Sequence, residues 1–437
     1  MKSNVWHPNT QMSEWKNFPE ISSAKGVWLF DTNGEKLLDG VASMWSNVWG
    51  HSKPELISSI VNQTKKLQHS SMFNLTNQPS ERLARKLISL SPGMKHVFFS
   101  DNGSTAMEVA IKIALQYWIN LGVKKTKIAT LENGYHGDTF GSMSVGYVPE
   151  FFLNFKSKLF PTTRFPVPNK YRTPRNYTFS DYQNICLDKI EKKLSNDDKI
   201  ATFVMESGAQ MAGGVIIYPK NFQRKINKIC KDCDVLFVLD EIATGFGRLG
   251  SMIEYDSQNC KPDIVSFGKM LTGGYMTFAA TLTTNKIYDA FLDKFSAMKH
   301  LFHGHTYTGN PIAASLSLTN LQLYEKFSLI KKIQSKSTIF QKRADEFYAL
   351  ESVGDVRTKG MVMGIELVSN KKEKIPIKTK KSINKIVFEE GRKHNVYFRT
   401  LGNIVMLVPP LAISTNELNF LIDGTIKTIK GISSHLK

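Results

Sequence analysis

Val235-Leu-Phe-Val-Leu-Asp-Glu-Ile-Ala-Thr-Gly-Phe-Gly-Arg-Leu-Gly250 joins an unbroken apolar run of strand length to two carboxylates and then to three glycines. A run with no polar face reads as a strand covered on both sides in a parallel sheet, and it carries Asp240 to the sheet's C-terminal edge. Ligands of open α/β sheets bind at that edge. A second apolar run, Asp263-Ile-Val-Ser-Phe267, delivers Lys269 into a loop that also holds Gly268, Gly273 and Gly274. A carboxylate and an amine thus reach neighbouring strand ends.

Other segments bring more groups to the same edge. Val97-Phe-Phe99 reads as a short strand and Ser100-Asp-Asn-Gly-Ser-Thr105 as a polar turn. Ala106, Val109, Ala110, Ile113, Ala114 and Tyr117 then mark one face of a helix. The free N–H groups of such a helix start, at Gly103 and Ser104, suit a phosphate; an ordinary N-cap by Ser104 or Thr105 is the other reading. Ile128-Ala-Thr-Leu131 leads into Glu132-Asn-Gly-Tyr-His-Gly-Asp-Thr139, where Tyr135 and His136 stand between glycines, placed either to lie against a flat ligand or to pack. Thr202-Phe-Val-Met205 ends in Glu206, again an acid at a strand end. Pyridoxal 5'-phosphate requires a lysine that forms an imine and an acid that keeps its pyridine nitrogen protonated, and Lys269 with Asp240 supplies both.

The whole chain sets bounds on the alternatives. Its 437 residues are 41% hydrophobic, ordinary for an enzyme with a sizeable core. No apolar run approaches the roughly 18 residues of a membrane span, and Met1-Lys-Ser-Asn-Val-Trp-His-Pro8 lacks the apolar core of a signal peptide, so the expectation is a cytoplasmic protein with no membrane association. The net charge of +19 raises nucleic acid as a partner, but the clearest basic run, residues 370–381, is interrupted by Glu373 and Pro376, and a solvated surface is expected instead. Four cysteines are too few for a disulfide framework. Cys230-Lys-Asp-Cys233 has metal or redox spacing without a second such pair and reads as a helix terminus. His300-Leu-Phe-His-Gly-His305 has no acid or cysteine beside it, so no metal is expected. Gly245-Phe-Gly-Arg-Leu-Gly250 matches a dinucleotide fingerprint letter for letter, but Asp240 and Glu241 separate it from the strand and no crossover helix follows.

The expected architecture is α/β. Residues 1–50, with a hairpin turn at Asn33-Gly34, are the N-terminal part of a small domain; residues 51–328 are the large cofactor-binding domain, with residues 150–195 a connecting excursion. Residues 329–437 complete the small α+β domain. Met44-Trp-Ser-Asn-Val-Trp49 is either core or pocket wall. Arg399, beside Gly402, is either a clamp for a substrate carboxylate or a surface arginine.

Taken together, Asp101-Asn-Gly-Ser-Thr105, Asn133-Gly-Tyr-His-Gly-Asp-Thr139, Asp240-Glu-Ile-Ala-Thr-Gly-Phe-Gly-Arg248, Gly268-Lys269, Leu271-Thr-Gly-Gly274 and His303-Gly-His-Thr306 resemble the class III aminotransferases of fold type I over nearly the whole chain. The resemblance implies a large domain built on a mainly parallel mixed sheet plus a small α+β domain. It implies that Lys269 binds the cofactor and shuttles a proton, that Asp240 pairs with the pyridine nitrogen, that Gly103 and Ser104 hold the phosphate, that Glu206 lines the cofactor site and that Tyr135 flanks ring and substrate. Gly304, His305 and Thr306 would reach the partner's site in a homodimer, and Met44, Trp45 and Arg399 would meet substrate. Gln116-Tyr-Trp118, residues 134–141 and Ile242-Ala-Thr-Gly-Phe-Gly247 imply the branch that aminates 8-amino-7-oxononanoate to 7,8-diaminononanoate in biotin synthesis, with S-adenosyl-L-methionine or L-lysine as donor, or else another ω-amino acid or diamine transaminase of the class. Asn9, Met44 and Met406 stand where that branch carries aromatic residues, all on the substrate side.

Overall fold

The computed structural model describes residues 4–15, 18–379 and 381–432; residues 1–3 of the expected leaderless start and Lys380 of the basic run lie outside them. Along the chain, β1 (Ile21–Lys25), β2 (Trp28–Asp31) and β3 (Lys36–Asp39) are followed by β4 (His96–Ser100), β5 (Lys127–Leu131), β6 (Thr163–Phe165) and β7 (Ile200–Glu206). A short hairpin of β8 (Ala209–Gln210) and β9 (Ile216–Ile217) precedes β10 (Leu236–Asp240), β11 (Ile264–Phe267) and β12 (Ala279–Thr283). The last third holds β13 (Val353–Lys359), β14 (Val362–Asn370), β15 (Ile375–Pro376), β16 (Val396–Tyr397), β17 (Arg399–Leu401) and β18 (Ile404–Leu407).

Seven strands form the large sheet in the order β4-β12-β11-β10-β7-β5-β6. β6, β5, β7, β10 and β11 pair in parallel, and β12 alone runs antiparallel to its neighbours. Every residue of β7, β10, β11 and β12 is buried, as their apolar runs require, because helices cover both faces. The register sets Asp240 directly opposite Glu206 on one side and Ser266 on the other. Three strand ends therefore deliver their polar groups to one place.

A three-stranded meander β1-β2-β3 takes β16 as a parallel fourth strand, so the first and last parts of the chain share a sheet. β13, β14, β18 and β17 form an antiparallel sheet with β15 on its edge. The helices Leu329–Tyr348, Ile383–Arg392 and Thr415–Ile432 accompany these strands.

Residues 150–195 depart from the expected excursion. They contain β6, which is the edge strand of the large sheet, and the helix Phe179–Asn196. Its buried Cys186, Leu187, Ile190 and Leu194 follow helical spacing, and Thr178 caps it by accepting from Asp181 N. The Cys230 region is the expected helix terminus: Phe222–Asp232 is helical and Cys233 is its C-cap.

Candidate active site

The site is assembled at the C-terminal ends of β7, β10 and β11 and at the start of the helix Gly103–Asn120. Asp240 is buried, its Oδ1 accepting from Ile242 N at 2.9 Å and its Oδ2 lying 2.8 Å from His136 Nδ1. A proton on Nδ1 is therefore donated to the carboxylate, which fixes both groups. His136 Nε2 is buried without a hydrogen-bond partner among the described residues.

Lys269 follows Gly268 with φ +44°, a left-handed backbone, and lines the cavity at the sheet edge. Loss of solvent pushes its pKa down, opposed by Asp240 and Glu206. The amine lies 5.6 Å from the ring centre of Trp45. Four consecutive residues, Ala42 to Trp45, have φ between +46° and +77°, and this left-handed turn carries both Met44 and Trp45 to the site. Such backbone costs about 1–2 kcal/mol per residue and persists only where its surroundings hold it, as at functional sites.

Glu206 uses both oxygens, Oε1 accepting from Tyr135 N at 3.2 Å and Oε2 from Met211 N at 2.8 Å, and burial pushes its pKa up to about 7. It thereby ties the Tyr135 loop to β7. Tyr135 stacks on Phe152 with ring centres 6.1 Å apart and donates its hydroxyl to Asp138 Oδ1 at 3.2 Å. Burial, then the Asp138 charge, raise its pKa, so it remains a neutral phenol.

The phosphate-like turn corrects one expectation. Asn102, neither Ser104 nor Thr105, is the N-cap, accepting from Thr105 N while the Thr105 hydroxyl receives the Asn102 N–H. Ser104 instead accepts from Asp138 N at 3.2 Å. The glycines are dictated by close approach: a Cβ on Gly103 would stand 2.8 Å from Ile242 Cγ2, and one on Gly137, at φ +123°, 2.0 Å from Ser104 Oγ.

These groups enclose a cavity of ≈ 440 Å³ lined by Gly103, Ser104, Tyr135, His136, Glu206, Asp240, Lys269 and Trp45. A wider one of ≈ 820 Å³ adjoins it, sharing Trp45, Tyr135, Asp138 and Lys269, and is lined also by Asn9, Met44, Arg399 and Met406. Arg399 opens β17, and its guanidinium has no ion pair or hydrogen bond among the described residues. Gly304, His305 and Thr306 line neither cavity of their own chain; His305 Nδ1 lies 3.9 Å from Asp101 Oδ2. His136, Asp138, Thr139 and Ile242 belong to the site as well. The sequence signal for His136 and Asp138 was their place between glycines in a loop after a strand. Ile242 gave none by residue type, being one more apolar residue, and is marked only by its place in the run Ile242–Gly247.

The family model for class III aminotransferases matches residues 11–429. The chain belongs to the class III aminotransferases. It is 41% identical to the adenosylmethionine-8-amino-7-oxononanoate aminotransferase of Staphylococcus aureus over 98% of this chain and 96% of that protein, and 39% identical to its Geobacter sulfurreducens counterpart over 99% and 97%. The crystal structure of the enzyme of that name from Methanocaldococcus jannaschii superposes with a TM-score of 0.92 at 40% identity, covering 98% of this chain and 97% of that one. An omega transaminase from Pseudomonas jessenii, solved in complex with PMP, superposes with a TM-score of 0.94 at 27% identity over 99% and 97%. The fold is thus the fold type I α/β architecture, and the protein is an aminotransferase.

The donor set fits pyridoxal 5'-phosphate. An enclosed amine with a lowered pKa, a buried carboxylate oriented by an imidazole, and free backbone N–H groups beside two obligatory glycines converge on one cavity. Among the described residues no group of three or more His, Cys, Asp or Glu side chains is arranged to hold a metal ion, and no helix is long and apolar enough to cross a membrane.

Proposed function

We propose that this aminotransferase converts 8-amino-7-oxononanoate to 7,8-diaminononanoate in biotin synthesis, with S-adenosyl-L-methionine as amino donor and pyridoxal 5'-phosphate as cofactor. The observation that carries the substrate reading is the ≈ 820 Å³ pocket, which holds Lys269 together with the guanidinium of Arg399, unpaired among the described residues. An oxo acid with a carboxylate remote from its ketone matches that pair. The names of the relatives at 39–41% identity support the same reaction.

When bound, the cofactor supplies an electron-poor ring that takes up the electron pair released at the amine-bearing carbon. Asp240 keeps the ring nitrogen protonated, and His136 and Ile242 N hold that carboxylate in place. Gly103 and Ser104 present backbone N–H groups to the phosphate. Lys269 would hold the cofactor through its amine, and that amine is the group placed to move a proton at the reacting carbon. Its lowered pKa favours the neutral base this needs. Trp45 and Tyr135, which line the cavity, would flank the cofactor there. Arg399 clamps the acceptor carboxylate. His305 and Thr306, with Gly304, serve the partner's site in a cytoplasmic homodimer. Residues 1–50 and 329–437 form the small domain and 51–328 the large one.

The test is a half-reaction: the pyridoxamine form is mixed with 8-amino-7-oxononanoate and the return of absorbance near that of the resting enzyme is followed. Recovery with this acceptor, and none with simple ω-oxo acids, is expected. The reverse preference would favour an omega transaminase, which the similarity to the Pseudomonas jessenii structure keeps as a second reading.

A further inference from the structure

The turn that bears Lys269 is strained. Its first residue has φ +44° and the glycine that caps it, Gly273, φ +66°, and of the two only the glycine takes such backbone freely. The 3₁₀ turn Lys269–Thr272 closes on itself through Leu271 N to Gly268 O and Gly273 N to Met270 O, both at 3.0 Å. That leaves the carbonyl of Leu271, and a second lone pair on that of Met270, for other partners. Both residues are fully buried, where an unpaired carbonyl is costly.

One side chain supplies those partners. Asn320, buried on the helix Pro311–Lys326, donates from Nδ2 to Met270 O at 2.8 Å and Leu271 O at 3.0 Å, while its Oδ1 accepts from Trp49 Nε1 at 2.7 Å. An indole N–H can only donate, so Oδ1 faces Trp49 and both amide hydrogens face the turn. A flipped amide would break all three bonds. Trp49 is itself held: it stands edge-on to Tyr324 of the same helix, with 5.6 Å between ring centres and 79° between planes, and Val48 N beside it donates to Gly273 O at 3.2 Å. The fit is close, since a Cβ on Gly273 would stand 3.2 Å from Asn320 Oδ1. Asn320 and Trp49 line neither the ≈ 440 Å³ nor the ≈ 820 Å³ cavity, so they reach the chemistry through the Lys269 turn.

We propose that Asn320, oriented by Trp49, is a positioning residue for Lys269: the pair fixes the turn so that the amine stays enclosed in the cavity with Asp240 and Glu206. Of the aromatic run Met44–Trp49, Trp45 is then pocket wall and Trp49 a support behind the lysine. The inference goes beyond the proposed reaction and rests on Lys269 as the lysine that holds the cofactor.

The absorbance band of the protein loaded with pyridoxal 5'-phosphate, titrated with pH, reports the proton on the Lys269 nitrogen. Asn320→Leu, neutral and of similar volume, removes all three bonds. The midpoint of the band is expected to rise by about one pH unit, the scale of one lost hydrogen bond, because a loosened nitrogen meets water and is charged more readily. Trp49→Phe keeps a ring and removes the N–H that orients the amide. It should shift the midpoint the same way by less, and it carries the test if the leucine variant does not fold. Apo protein of either variant should also capture the cofactor more slowly than wild type does. A loss of stability in urea with midpoint and capture rate unmoved would make the pair structural alone and overturn the proposal. A wild-type protein without the band would instead overturn the reading of Lys269 as the cofactor lysine, and the inference with it.

Discussion

Single residues carry the chemistry, and their legibility differed with the kind of signal each one gave. Asp240 and Lys269 were readable because a charged group ending an unbroken apolar run has few places to go except a sheet edge. Arg399 was not: among 57 lysines and arginines nothing in its sequence neighbourhood separates a clamp from a surface charge. The structure places it in the pocket with Lys269, its guanidinium without an ion pair or hydrogen bond among the described residues, which supports the clamp. A clamp that uses the planar fork of arginine is not replaceable by the point charge of lysine. Arg399→Lys should therefore raise KM for the oxo-acid acceptor by about tenfold or more, the scale of one lost charge-assisted hydrogen bond, with kcat changed far less. Steady-state kinetics at saturating donor measure this. An unchanged KM would return Arg399 to the surface.

At the level of elements, long apolar strands and amphipathic helices were recoverable and short or composite ones were not. β6 has three residues and offers no period to detect. The helix Phe179–Asn196 did show its pattern, with Cys186, Leu187, Ile190 and Leu194 inward and a Thr178 cap, but the Phe, Pro and Lys residues just before it obscured where it begins. The left-handed turn at Ala42–Trp45 is invisible in sequence, because no glycine marks it. The cap of the helix Gly103–Asn120 lies two or three residues before the expected Ser104 or Thr105 because Asn, Ser and Thr crowd together there and all can serve. Asn102→Ala should cost about 0.5–2 kcal/mol in chemical denaturation. It should also weaken pyridoxal phosphate retention, since the same first turn presents Gly103 and Ser104. Loss of stability with unaltered cofactor affinity would dissociate the cap from the phosphate cradle.

For the whole molecule, two predictions follow from what is buried and what is shared. Glu206 and Glu241 are buried and keep their protons up to about pH 7 and about pH 8, against 4.5 for the ordinary group. Burial is the main cause in both. A raised acid pKa means that the stability these groups contribute is complete below about pH 4.5 and is lost as pH rises through about 7 and 8, because the unfolded chain then releases protons that the folded chain retains. Glu241→Gln, neutral at every pH, should flatten the decline in unfolding free energy between pH 5 and 8, which urea titrations at several pH values would show. An unchanged slope would mean that Glu241 is already ionised in the folded protein. The proposed shared sites predict complementation: Lys269→Ala and the double variant His305→Ala/Thr306→Ala, each inactive alone, should recover about a quarter of wild-type activity when refolded together. Half the dimers are then mixed, and each mixed dimer regains one intact site of two. No recovery would mean that each site is complete within one chain.

β3 pairs with β16, and Gly40 N also reaches Tyr397 O, so the first sheet closes on residues made long after its own strands. At about 5–20 residues per second, roughly 20–70 s separate the emergence of Asp39 and Tyr397 from the ribosome. Throughout that interval the nascent meander exposes an open strand edge. An unpaired strand edge is a template for pairing with other chains, so this window is when the newly made protein is most exposed to aggregation.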